Sequence, residues 1–343
     1  MEEKSAKKAK HTQTPMRVLI TGAAGQIGYS LIPLVASGAV FGEDQPIILH
    51  LLDIPFMEKA LKGVVMEIED CAYPLVHEVV ATVDITTAFK GVNVAILLGG
   101  VPRKPGMERA ELFQKNSPIF VEQGKALNLA DKNCKVLVVA NPANTNCLVA
   151  AMNSNLPKQN FSCLTRLDQN RAVGLVASKV GVTPGAVKNV IIWGNHSSTQ
   201  YPDASQAHFS ADGSKNSVTS KLDNKFLQTD FVSTIQQRGA KILEVRGLSS
   251  SMSAAKAIRD HLHDWLHGTP EGEYVSMGVW SEGAYGVEKG LIFSFPVSCA
   301  PGGTYSIVKG IQWSSEAQAS IKKTETELIS ERSLVENKPA ASS

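Results

Sequence analysis

The sequence has little of what marks the more specialised classes of protein. It contains only 5 cysteines in 343 residues, without a Cys-x-x-Cys pair, at Cys71, Cys134, Cys147, Cys163 and Cys299. So scattered a set of thiols argues against a disulfide framework or a zinc motif and indicates a reducing compartment. Charge of one sign is also lacking, because 34 Lys and Arg nearly balance 32 Asp and Glu. We therefore expect neither a nucleic-acid partner nor a charged membrane surface.

Long apolar runs are scarce as well. Residues 18–42 carry no charge and are long enough to span a bilayer, but they contain five glycines and Gln26. A strand, a glycine turn and a helix explain this segment better than a membrane span. With 43% hydrophobic residues, the chain is long enough for two domains or one large domain split by a cleft.

The ends of the chain are polar. Residues 1–15 have almost no apolar side chains, which predicts a disordered tail, and residues 334–343 predict a flexible C-terminus. The tail has no apolar core for a secretory signal and no Arg for a mitochondrial presequence. We expect a cytoplasmic protein, with an organellar location left open by the basic tail.

The first half of the chain alternates between two kinds of apolar pattern. Strands are predicted at 16–21, 47–52, 79–83, 94–98 and 135–140, and helices at 26–37, 58–73 and 108–131. This alternation predicts an α/β fold with a Rossmann-type, doubly wound parallel sheet over residues 16–156. Such sheets bind ligands at the carboxyl ends of their strands, so the loops after the strands are expected to carry function.

The second half, residues 157–333, has no regular alternation. Helices are predicted at 166–180, 226–246, 251–267 and 315–332, and strands at 187–193, 274–279 and 291–295. We expect a mixed α+β substrate domain packed on the first. Residues 205–220 are polar and match no motif.

A glycine-rich turn follows the first predicted strand. The residues are Gly22, Ala23, Ala24, Gly25, Gln26, Ile27 and Gly28, a G-x-x-G-x-x-G variant of the dinucleotide fingerprint. Glycines let the backbone approach a pyrophosphate at a helix N-terminus. Asp53 ends the second strand, where a carboxylate binds ribose hydroxyls and repels a 2′-phosphate, which favours NAD over NADP. The alternatives are an ordinary glycine turn and a helix-capping aspartate.

Two later loops carry further candidates. Arg103 and Arg109 lie in GGVPRKPGMER, and their planar, permanent charges suit carboxylates, although a solvated basic loop would look the same. Asn141 lies in NPAN after the fifth strand, where its amide could contact cofactor and substrate, or could simply form a turn.

The second half places an acid, an arginine and a histidine in order. Asp168 and Arg171 share one helix face, and His196 follows an apolar strand. In isolation these read as a surface ion pair and a structural histidine. Together with a dinucleotide site, these residues indicate a dehydrogenase. In that enzyme His196 exchanges the hydroxyl proton, Asp168 orients the His196 ring, and Arg171 binds a carboxylate of the substrate. Arg103 and Arg109 are left to polarise a carbonyl and bind a second carboxylate.

Six ordered motifs carry a family resemblance. TGAAGQIGYSL, LLDIP, GGVPRKPGMER, NPANTNCL, LTRLDQNRA and WGNHSSTQYPD, with GTPEGEYVSMG near Tyr274, resemble the cytosolic NAD-dependent malate dehydrogenases of the lactate/malate dehydrogenase superfamily. The resemblance runs from Met16 to about Arg332.

The resemblance implies a role for each matching residue. His196 would be the proton acceptor with Asp168 as its partner, and substrate would contact Arg171, Arg103, Arg109, Asn141 and Ser250. In this scheme Arg171 takes the C1 carboxylate, Arg103 the distal carboxylate and Arg109 the carbonyl oxygen. The NAD contacts would be residues 22–28, Asp53, Asn116, Gln123, Val139, Ala140 and Asn141.

The resemblance also implies a substrate and an assembly. Lactate dehydrogenases carry glutamine where Arg103 stands, so a dicarboxylic substrate, malate or oxaloacetate, is expected, with NAD, no metal and a homodimer. The alternatives are a lactate-type 2-hydroxyacid dehydrogenase and a non-catalytic NAD-binding sensor.

Overall fold

A computed structural model describes residues 13–102 and 106–336. Most of the predicted N-terminal tail (1–15), Arg103, and residues 337–343 of the predicted flexible C-terminus lie outside the described residues. Along the described chain the strands are β1 (Met16–Thr21), β2 (Ile47–Leu52), β3 (Val76–Thr82), β4 (Val94–Leu97), β5 (Lys135–Val138), β6 (Phe161–Cys163), β7 (Val187–Lys188), β8 (Ile191–Trp193), β9 (Tyr201–Asp203), β10 (His208–Ala211), β11 (Ser214–Ser217), β12 (Val275–Trp280), β13 (Ile292–Ala300) and β14 (Thr304–Ile307).

Along the same described residues, the α-helices lie between these strands, except the last, which follows β14. They are α1 (Gln26–Ala36), α2 (Glu58–Asp70), α3 (Ile85–Phe89), α4 (Arg109–Ala126), α5 (Ala143–Met152), α6 (Arg166–Val180), α7 (Asn224–Gln228), α8 (Asp230–Arg246), α9 (Met252–His267) and α10 (Ser315–Glu336).

One large sheet organises the molecule. Among the described residues it has nine strands in the order β14-β13-β12-β6-β5-β4-β1-β2-β3. The six strands from β3 to β6 are parallel, whereas β12, β13 and β14 join antiparallel. The predicted doubly wound fold is therefore confirmed. Strand order reverses between β1 and β4, which is where such sheets bind ligands.

Alternating side chains of the parallel strands build two cores, because successive residues of a strand face opposite sides of the sheet. Val18 and Ile20 of β1 pack toward α1, α2 and α9, whereas Leu19 packs toward α3, α4 and α5. A third cluster lies between α6, α8 and the small sheet β11-β10-β7. The central strands are buried on both faces, which explains their unbroken apolar runs.

Besides short elements that were not predicted (α3, β6, β9 and β14), the predicted elements differ from the observed ones in four places. The predicted helix 226–246 is two helices, α7 and α8, because the backbone leaves helical angles at Thr229 (φ −118°, ψ −82°). The predicted strand 187–193 is broken into β7 and β8, where Asn189 has φ 60°. The segment 205–220 contains the hairpin β10–β11. The pair Asp212-Gly213 forms its two-residue turn, and this pair is the sequence signal that would have predicted the hairpin. Helix α5 was not predicted, because all but its last residue are buried and its sequence has no amphipathic period.

None of the helices in the described ranges is long and apolar enough to span a membrane. All five cysteines are free thiols, and only Cys71 is exposed.

Candidate active site

The turn after β1 brings its backbone against the next loop of the sheet. Gly22 has φ +66°, and a Cβ there would stand 2.9 Å from the Cα of Gly99. Any larger residue would strain the backbone and fill the space at the carboxyl ends of β1 and β4. Gly25 then stands at the N-cap of α1, so the first amides of the helix point toward this turn. A backbone cradle at a helix N-terminus suits a pyrophosphate.

Asp53 connects this turn to the end of β2. Its Oδ2 accepts a hydrogen bond from the Ala24 amide and its Oδ1 accepts one from the Ile54 amide, both at 2.9 Å. Each carboxylate oxygen accepts more than one hydrogen bond, so capacity remains for the hydroxyls of a ribose. The chain thus has residues that fit NAD, with Asp53 beside residues 22–28.

The loops after β4 and β5 are joined through α4. The Asn116 side chain accepts from the Val101 amide at 2.7 Å and donates to the carbonyl oxygen of Asn141, also at 2.7 Å. The amides of Val139 and Ala140 both donate to the carbonyl of Leu97, at 3.0 and 3.3 Å.

Two polar groups near these loops remain available to a ligand. Asn141 is exposed. Gln123, also on α4, is buried, and its Oε1 has no hydrogen-bond partner among the described residues.

Asp168 joins the residues of the second half. It lies at the start of α6 and is fully buried; Oδ2 is hydrogen-bonded to Nδ1 of His196, and Oδ1 accepts from Arg171 Nη1 at 3.0 Å. Arg171 also donates from Nη2 to Ser250 Oγ at 3.1 Å. The Nε of Arg171 is buried without a partner in the described chain. The structure therefore brings four predicted site residues into one network.

The electrostatics of Asp168 follow from this network. Burial raises the pKa of its carboxyl, but the charge and hydrogen bond of His196 and the charge of Arg171 outweigh burial, so the pKa lies below its ordinary value. Asp168 is consequently ionised at neutral pH and holds the His196 ring through Nδ1. Nε2 is the ring nitrogen left to exchange a proton with a bound molecule.

Arg171 presents a largely but not fully buried cation with an unsatisfied donor. The side chain is only 12% exposed, and its one paired carboxylate is shared with His196. A carboxylate-bearing ligand would satisfy this guanidinium better than water, because planar N–H donors match carboxylate oxygens in pairs. The described residues contain no group of three or more His, Cys, Asp or Glu arranged to hold a metal ion.

Arg109 has partners that the sequence did not predict. It opens α4, its Nε donates to Glu331 of α10, and its Nη2 donates to Asn195 Oδ1 at 3.1 Å. Glu331 lies 222 residues away in sequence, so no local pattern could have linked the two. Arg103 lies outside the described residues.

Asn144 was also missed, although it lies in the quoted motif NPANTNCL. Its Oδ1 accepts from the His196 amide at 2.9 Å and its amide donates to the carbonyl of Gly194 at 3.3 Å. The loop that carries His196 is thereby fixed to α5.

Comparisons with known proteins identify the family to which the chain is similar. The family model for the lactate/malate dehydrogenase NAD binding domain matches residues 16–162, and that for the alpha/beta C-terminal domain of the same family matches residues 165–338. "Probable malate dehydrogenase 3" of Dictyostelium discoideum is 57% identical over 92% of this chain and 96% of its own length. "Malate dehydrogenase, cytoplasmic" of Homo sapiens is 53% identical over 93% and 96%.

Two solved structures are similar over nearly their whole length. Malate dehydrogenase from Naegleria fowleri has a TM-score of 0.90 and 42% identity, covering 95% of this chain and 99% of that one. Lactate dehydrogenase of Trichomonas vaginalis, in complex with NADH and oxamate, has the same TM-score and identity, covering 94% and 98%.

Proposed function

This chain belongs to the lactate/malate dehydrogenase family, and on that premise we propose that it is an NAD-dependent malate dehydrogenase, which interconverts L-malate and oxaloacetate. The named relatives that are 50–57% identical to it over more than nine-tenths of its length are malate dehydrogenases. The non-catalytic sensor is not favoured, because a module that only bound NAD would have no use for a histidine paired with a buried aspartate beside Arg171.

The observation that carries the proposal is the Asp168 network. The side chains of His196 and Arg171 are held by the same carboxylate, and Nε of Arg171 is buried without a partner among the described residues. When bound, NAD supplies the hydride acceptor for malate oxidation. His196 Nε2 takes the hydroxyl proton in that direction and returns it in the other, and Asp168 stabilises the protonated ring.

The remaining roles concern binding. Arg171, with Ser250 beside it, binds the C1 carboxylate, Arg109 polarises the carbonyl oxygen, and Asn141 contacts both substrate and cofactor. NAD is held by residues 22–28, Asp53, Asn116, Gln123, Val139 and Ala140. The backbone cradle at Gly22 and the buried, unpartnered Gln123 Oε1 support these assignments.

The proposed preference for a dicarboxylic acid rests on Arg103, whose role is inferred only from its position in the sequence motif. The fold does not separate malate from lactate, because the lactate dehydrogenase of Trichomonas vaginalis has the same TM-score as the malate dehydrogenase of Naegleria fowleri. A second arginine would bind the distal carboxylate of oxaloacetate and would leave its charge unpaired with pyruvate.

The test of this function is oxidation of the reduced cofactor by the purified chain. Oxaloacetate is compared with pyruvate as the substrate, and NADH is compared with NADPH as the cofactor. Fast turnover is expected only with oxaloacetate and NADH. The His196→Ala variant should still bind NADH but lose about 100-fold or more in kcat, the usual range for a general acid-base. A preference for pyruvate would replace the malate dehydrogenase assignment by a lactate-type 2-hydroxyacid dehydrogenase. NADH binding without turnover of any acid would favour the non-catalytic NAD-binding sensor.

Arg103→Gln separates the two enzyme assignments. Loss of a charge-assisted contact should lower kcat/KM for oxaloacetate about 30-fold or more while leaving pyruvate nearly unchanged. An unchanged ratio of the two kcat/KM values would remove Arg103 from the substrate site.

We also infer a homodimer and a cytoplasmic location. Helix α2 buries Leu61, Val64 and Ile68, yet Met66 on the same helix is 64% exposed and Phe56 just before it is 89% exposed. Large exposed apolar side chains on this helix and just before it favour an interface with a second copy. Relatives from Zea mays and Homo sapiens are named cytoplasmic, and none of the named relatives supports the organellar alternative. Imaging of a fluorescent fusion would test the location.

A further inference from the structure

Helix α10 presents a polar stripe to the loop that carries His196. Thr324, Glu327 and Glu331 stand at spacings of three and four residues, so they share one face of the helix. Thr324 is fully buried and Glu331 is 9% exposed. Buried carboxylates are costly unless they are paired, so this stripe needs partners on the facing loop.

The partners are residues 194–199. The Asn195 amide donates to Thr324 Oγ1 at 2.9 Å, and the Asn195 side chain donates to Glu327 at 2.8 Å. Ser197 and Thr199 donate to the same Glu327 carboxylate at 2.5 and 2.6 Å. A Cβ on Gly194 would stand 2.1 Å from Thr324 Cγ2, so only glycine lets the helix approach this closely.

Glu331 extends this contact to Arg109. One of its oxygens accepts from Arg109 Nε and from Asn195 Nδ2, the latter at 3.2 Å, and the other accepts from Thr145. Asn195 in turn accepts from Arg109 Nη2 through its Oδ1. The Arg109 guanidinium is therefore held at two of its nitrogens, by a carboxylate and by the residue next to His196.

We propose that Glu331 is a positioning residue for the reaction, which fixes the plane of the Arg109 guanidinium relative to the His196 loop. An arginine has five N–H donors. The bonds to Glu331 and Asn195 use one at Nε and one at Nη2, and the others make no hydrogen bond observed within residues 13–102 and 106–336, so they can serve a carbonyl oxygen. Pre-orienting a donor acts on the transition state, so Glu331 affects kcat more than KM. This inference rests on the proposed role of Arg109.

The test is a double-mutant cycle with Glu331→Gln and Arg109→Gln, measuring kcat and KM for oxaloacetate at saturating NADH. Glu331→Gln should lower kcat about 10-fold with KM within about 3-fold, and Arg109→Gln should lower kcat about 100-fold. The double variant should match Arg109→Gln alone, because Glu331 acts through Arg109. A double variant that loses a further 10-fold would overturn the proposal.

A full kcat in Arg109→Gln would instead show that the role of Arg109 in the proposed function is wrong. NADH binding and Tm of each variant identify those that fail to fold. If Glu331→Gln does not fold, Glu331→Asp takes its place; it keeps the charge but shortens the reach, and the same non-additivity with Arg109→Gln is expected.

Glu325→Gln is the matched control. Glu325 lies on the same helix, is 5% exposed, and accepts from Lys322 and from the Glu288 amide, away from the His196 loop. Its loss should lower Tm without a change in kcat. An equal fall of kcat in Glu325→Gln and Glu331→Gln would show that α10 acts only through stability and would refute the positioning role.

Discussion

Asp168 is fully buried, and its carboxylate is shared between the side chains of His196 and Arg171. Both of its oxygens are engaged, one by His196 and one by Arg171. Because the pKa of Asp168 lies below its ordinary value, its pairing stabilises the fold above the unfolded pKa of about 3.9. That contribution is lost as pH falls through the lower, folded pKa.

Asp168→Asn tests both consequences at this residue. The variant leaves Arg171 buried without a counter-ion, so the free energy of unfolding at pH 7 should fall by about 3 kcal/mol. Because His196 loses its orienting carboxylate, kcat should fall about 100-fold or more while NADH still binds. Urea unfolding at pH 7 and pH 3 should show the gap between wild type and variant shrinking in acid. A gap that does not depend on pH would contradict the charged state of Asp168.

At the scale of single residues, much of the candidate site could be proposed from sequence. Asp168 and Arg171 lie three residues apart on one helix. The glycine-rich turn is recognisable because its glycines stand between a strand and a helix. Glu331 and Asn144 could not be identified, because their roles depend on contacts with residues far away along the chain.

At the scale of an element, α9 contains a histidine with no polar partner. His261 is fully buried, both of its ring nitrogens lack hydrogen-bond partners within the described residues, and its ring stands edge-on to Trp265. Burial, together with the charge of Arg166, lowers the pKa of His261 to about 3. The unfolded chain takes up this proton near pH 6.5, so stability falls as pH drops from about 6.5 toward 3.

His261→Phe should flatten this part of the stability profile. Between pH 6 and pH 4 the free energy of unfolding should fall less steeply than in wild type, by up to about 1.4 kcal/mol per pH unit. The measurement is urea unfolding across that range. His263→Phe, on the same helix but 37% exposed, is the control and should keep the wild-type slope. Equal slopes in wild type and His261→Phe would contradict a neutral buried His261.

Elements were predicted best where their pattern was periodic or their ends were marked. The bounds of β1, β2 and α6 agree with the predicted ones, whereas α5 and the short strands β6, β9, β10, β11 and β14 were missed. A fully buried helix has no polar face, and a strand of three residues has no period to detect.

At the scale of the whole molecule, the proposed dimer gives a direct prediction. Met66→Glu would place two like charges in an interface with a second copy, so the dissociation constant should rise about 10-fold or more. Sedimentation velocity over a dilution series measures this. Met152→Glu is the control, since Met152 is 48% exposed at the end of α5, on the opposite face of the sheet. A monomeric wild-type chain, or equal dissociation in both variants, would place the interface elsewhere or remove it.

The division into residues 16–156 and 157–333 stays a prediction. The large sheet continues past residue 157, because β6 pairs with β5 on one side and with β12 on the other. The two halves therefore share one sheet, whatever the boundary of each folding unit.

The sequence by itself determined the fold class, the glycine turn with Asp53, and the identity of Asp168, Arg171 and His196, because each depends on local pattern or on strand ends that a parallel sheet must bring to one edge. The pairing of Asp168 with His196 was expected from the sequence, whereas tertiary structure alone decided which carboxylate holds Arg109. Asp168 pairs with His196 and Arg171, whereas Arg109 pairs with Glu331 from the last helix. Such pairings depend on distances between elements far apart in sequence, and those distances exist only once the cores between the helices and the sheet have packed.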